Sequence, residues 1–102
     1  MKSITDIKEL TKGTKIVYLE DGFVYYYEFL MVHPHNDEYV LLLDEVTQNA
    51  PKFYIPNIIN CPSWQIYFTR KDILNYKREH YTRMLRINDK RINDLENETR
   101  IL

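Results

Sequence analysis

Up to residue 68 the apolar positions come in short runs that alternate or sit side by side. From residue 69 they recur at spacings of three and four. The first pattern predicts strands and the second a helix. Residues 14–20 are rich in β-branched and aromatic side chains and predict a strand. Asp21-Gly22 follows, the sequence that a tight type I′ hairpin turn prefers. A long second strand is expected over residues 23–33. Phe23, Tyr25, Tyr27, Phe29 and Met31 would lie on one face, and Val24, Tyr26, Leu30 and Val32 on the other. Both faces are apolar, which predicts a bent strand that meets a core on each side in turn.

Further strands are expected over residues 39–44, 53–55 and 64–68. Pro56 and Pro62 bracket residues 57–61 and argue against strand there. Near the N-terminus, Ser3 or Thr5 is placed to cap a short turn carrying Ile7 and Leu10. The expected fold is α+β, mainly β. It is a five-stranded antiparallel SH3-like or OB-like barrel, or a curved meander, followed by one long helix. Residues 1–68 form the head and residues 69–102 the helix, within a single domain.

Thr69 and Asp72 have the spacing of a capping box, and the helix is expected from residue 70 to about residue 97. No Gly or Pro interrupts it. A seven-residue repeat runs through Leu74, Arg78, Tyr81, Leu85, Asn88, Ile92, Leu95, Thr99 and Leu102. Ile73, Met84 and Ile87 widen it. Such a helix would span roughly 42 Å at 1.5 Å per residue, beyond a head about 25 Å across. Its far half therefore carries apolar side chains that the head cannot reach. Self-association or docking on another protein through Tyr81, Leu85, Asn88, Ile92 and Leu95 would cover them. Asn88 in such a seam is a residue type that sets register in coiled coils. The bland outcomes are a frayed end or a fold back on the head.

Charge sharpens the division. Residues 1–68 carry five lysines against nine carboxylates, whereas residues 69–92 carry eight Lys/Arg against three. Arg83, Arg86, Lys90 and Arg91 could therefore meet nucleic-acid phosphates, the alternative reading. A balanced whole-chain charge of −1 argues for a solvated helix face instead. Twelve of the fourteen aromatics precede residue 69, enough to fill the core of a small sheet.

Chemistry is sparsely signalled. His33, His35 and Asp37 surround Pro34 in a sequence that reads as a turn. Cys61 and His80 would have to converge on them to bind a metal. A lone cysteine excludes an internal disulfide and fits a reducing compartment. Two glycines cannot build a phosphate cradle, and no nucleophile or metalloprotease motif occurs. The expectation is a non-enzymatic interaction module with no catalytic residues, metal, cofactor or small-molecule substrate. The absence of a long apolar run predicts no membrane span and no secretory signal, hence a cytoplasmic location. The abundance of Ile, Tyr, Asn and Lys points to a low-GC bacterial or phage gene. A small regulator or inhibitor acting in the bacterial or host cytoplasm would suit this size.

Overall fold

Asp21 and Gly22 both take positive φ, 48° and 85°, and close the hairpin that organises the protein. In this computed structural model the described residues are 1–101, with side chains through residue 93. The strands are β1 (Lys2–Ser3), β2 (Lys15–Glu20), β3 (Phe23–Val32), β4 (Tyr39–Asp44), β5 (Lys52–Tyr54) and β6 (Trp64–Ile66). A 3-10 turn spans Ile7–Glu9. Helix α1 is Ile55–Ile59 and helix α2 is Arg70–Ile101. All strand pairs are antiparallel, in the order β1-β6-β2-β3-β4-β5.

This is an α+β fold, as expected, but with six strands rather than five and in an open sheet. Barrel closure would need β1 to pair with β5. Both edge strands are very short, two and three residues, and their pairing partners are β6 and β4.

The two apolar faces of β3 serve two cores rather than one bent wall. On one face Ile16, Phe29, Val40, Leu42 and Trp64 pack with Ile4 and Ile7 from the N-terminal segment and Ile55 and Ile58 from α1. Trp64 lies about 5 Å from the rings of Tyr18, Tyr27 and Phe53. On the other face Val17 and Leu19 pack with Ile73 of α2, flanked by Val24, Tyr26, Tyr67 and Tyr76. A register shift between Phe29 and Met31 reverses the alternation. Val32 therefore joins the first core, and Met31 faces out on the opposite side. A bulge of this kind changes which face each later residue serves.

Two local expectations change. Asp6 caps the 3-10 turn, its carboxylate accepting from the Lys8 N–H at 3.1 Å, in place of Ser3 or Thr5. The segment between the prolines forms α1, because Pro56 sits in the first turn, where a missing N–H costs nothing. At α2 the carboxylate half of the capping box forms. Asp72 Oδ2 accepts from the N–H groups of Phe68 and Thr69, each at 3.3 Å. Its Oδ1 lies 3.7 Å from the N-terminal amine. Among the described residues the Thr69 hydroxyl makes no return bond.

Helix α2 starts beside β2, since the Tyr67 N–H bonds the Lys15 carbonyl at 3.2 Å. It then runs toward the hairpin turn. Tyr76 Oη accepts the Gly22 N–H at 3.2 Å, and the His80 ring lies against Gly22. Beyond His80 every described side chain of α2 is exposed. The molecule is 66 × 26 × 25 Å, with a radius of gyration of 18.8 Å. A globule of this length would have about 13 Å. The helix does outrun the head.

A Cβ added at Gly22 would lie 2.7 Å from His80 Cδ2, on a backbone already at φ 85°. Gly22→Ala is expected to destabilise the protein by more than about 1 kcal/mol in a denaturant titration. Adding His80→Ala should recover part of that loss, because it removes the clash but not the backbone strain. Asp72 is a separate case. The Phe68 N–H, and to a lesser extent the Thr69 N–H and the terminal amine, hold its carboxyl below the usual range despite partial desolvation. A depressed acid stabilises the fold above its unfolded-state value and loses that contribution as pH falls through the folded one. Asp72→Asn should therefore melt a few degrees lower than wild type at pH 7, and the difference should close below the ordinary Asp range.

Candidate functional site: the lateral stripe of helix α2

At about 100° per residue, side chains three and four apart share a helix face. Ile73, Tyr76 and His80 share the one that meets the sheet and its turn. Met84 and Ile87 continue that line past the end of the head, both exposed. The heptad stripe is a different face. Leu74 is one residue on from Ile73, and there the exposure changes from 4 % to 53 %. Tyr81, Leu85 and Ile92 prolong Leu74's line and are 56 %, 64 % and 53 % exposed. Asn88 lies between them and is exposed.

The expected seam is therefore present as an unburied line, and it begins beside the head rather than beyond it. The one-residue offset from Ile73 turns Leu74 away from the sheet. The side chain of Leu95, another expected contact, lies outside the described residues, as does Leu102.

The flanks of α2 differ in chemistry. On the side of β6, Asp72, Asn75, Glu79 and Arg83 line a cleft of about 720 Å³ with Met1, Ser63 and Gln65. On the side of β3, Arg70 and Ile73 border a smaller cleft of about 380 Å³ with Tyr26, Glu45 and Tyr67. Lys15 reaches Glu45 at 2.9 Å and Glu28 at 3.6 Å beneath it. The bond to Glu45 chiefly raises the Lys15 pKa against the opposing effect of desolvation. Burial similarly raises the Tyr67 phenol, whose ring meets Tyr26 edge-on at 5.8 Å.

Arg83, Arg86 and Lys90 share the flank toward β6 and are exposed. Arg91 lies about a quarter turn away, so the four basic residues do not form one surface. Glu79 borders the same clefts as Arg83, and Asp72 shares the larger of them, which divides the field there.

The other candidates are dispersed. His33 Nδ1 accepts the His35 backbone N–H at 3.1 Å, which ties the pair into the turn. Cys61 is partly buried against the first core, and His80 is committed to the hairpin. Among the described residues no three His, Cys, Asp or Glu side chains gather into a metal-binding group. None of the helices is long and apolar enough to cross a membrane, again among the described residues.

Sequence reasoning placed Leu74 in the repeat but not among the contact residues, and it missed the orientation of that stripe relative to the sheet. The signal was the offset between Ile73 and Leu74, which becomes informative only once one of them is known to be buried. Comparison with models of protein families, with curated proteins and with solved structures finds no match to this chain.

Proposed function

We propose that this protein is a non-enzymatic protein-interaction module. The head holds the base of α2 at a fixed angle. The lateral stripe of Leu74, Tyr81, Leu85, Asn88 and Ile92 is the contact surface, used for oligomerisation or for docking on a partner protein. The observation that carries this reading is the exposure of that stripe along a line the protein's own sheet does not touch. Burying each large apolar side chain would contribute about 1.5–3 kcal/mol. A single helix extending from its head gains none of this, and isolated helices of this kind are marginal in water.

Amide hydrogen exchange tests the need for a cover. In dilute protein the amides of residues 84–93 should exchange far faster than those of β2 and β3. Equal protection in a dilute monomer would mean that the helix needs no cover, and would remove the reading. Leu85→Asp/Ile92→Asp should leave thermal unfolding of the head unchanged while abolishing association by light scattering. Unfolding of the head by this double change would assign those residues to stability instead.

A further inference from the structure

We infer that the partner is a second copy of this chain, with its α2 lying antiparallel beside α2 of the first, on the side of β3 and β4. This rests on the interaction reading above and adds the identity and direction of the partner. The first argument is where the stripe points. Ile73 and Tyr76 face the sheet. Asp72, Asn75 and Glu79 turn toward β6. Leu74 and Tyr81 therefore fall on the remaining flank, toward β3 and β4, about a third of a turn from the sheet contact. A helix meeting them would occupy the same layer as α2.

That layer has room. Six strands about 4.8 Å apart span about 24 Å, roughly twice the diameter of a helix. Apart from α2 itself, the described residues of the core under α2 come from β2, β3 and Tyr67, just past β6. On β4, Leu43 opposite Glu28 and Leu41 opposite Met31 share the α2 side of the sheet but belong to neither core. The flank of α2 and the uncovered half of the sheet meet near Tyr26, Glu45 and Tyr67.

Charge selects the direction. Residues 70–78 of α2 carry four basic side chains and one carboxylate, and residues 93–101 carry three carboxylates and Arg100. An antiparallel pair sets the basic base of one helix beside the acidic end of the other. A parallel pair sets like charge beside like. With the two-fold axis between Leu85 and Asn88, each Leu85 faces Asn88 of the second copy, and each Tyr81 faces Ile92. The acidic end of the second helix then passes Leu74 and the uncovered side of the sheet. Such an interface is self-complementary and closes as a dimer.

Disulfide trapping in a Cys61→Ser background tests the arrangement. In the antiparallel pair the two Tyr81 positions are about 16 Å apart along the axis, as are the two Ile92 positions. A disulfide needs Cα atoms within about 7 Å. Tyr81→Cys alone and Ile92→Cys alone should therefore stay unlinked under mild oxidation. An equal mixture of the two, or the double variant, should convert largely to a covalent dimer. Linking by each single variant alone would overturn the antiparallel arrangement in favour of a parallel pair, with the interaction reading intact. A wild-type monomer by light scattering at about 100 µM, with no trapping of the double variant, would overturn the second copy as partner. The amide-exchange result then decides the interaction reading separately. Both substituted positions are exposed, and the wild-type mass needs no variant to fold.

Discussion

The contact of α2 with the β2–β3 hairpin sets everything else in this molecule. Ile73 closes a small core with Val17 and Leu19. Tyr76 satisfies the Gly22 N–H, and His80 lies where only a glycine leaves space. These few side chains, spread over two helical turns, fix both the direction of a long helix and its rotation about its own axis. Once that rotation is fixed, the remaining side chains of α2 have no choice about which way they face. A leucine one position along is turned out to solvent.

The sheet also explains the aromatic composition. It has a core on each side, so its strands cannot follow a simple inside–outside alternation. Large rings meet this demand economically. Trp64 alone joins Tyr18, Tyr27 and Phe53 on one face, while Tyr26, Tyr67 and Tyr76 flank the core on the other. The bulge in β3 then reverses the strand's faces, bringing Val32 into the first core and releasing Met31. The second core is much the smaller, which leaves part of that side of the sheet uncovered.

The charge contrast between head and helix takes on a more specific meaning in the proposed pair. There the division within α2 itself, with a basic base and an acidic end, matters more than the net charge of the whole helix. Charges at the two ends of one long helix are too far apart to interact with each other through water. They become relevant only when another helix lies alongside.

Much of the local architecture was legible in the chain. The Asp-Gly turn, the strands around it and the long uninterrupted helix each rest on short-range rules of turn chemistry and periodicity. Helix α1 and the minimal strand β1 were not legible. Two prolines in the first case, and two residues in the second, carry too little local signal. The apolar stripe through Tyr81, Leu85 and Ile92 could likewise be read directly, because helical spacing alone puts those residues in line. What spacing could not supply was the zero of rotation, meaning which line of α2 rests on the sheet. Only the tertiary structure decided that, through Ile73 and the close approach of His80 to Gly22. Periodicity is a property of one segment, whereas burial depends on which two surfaces fit together.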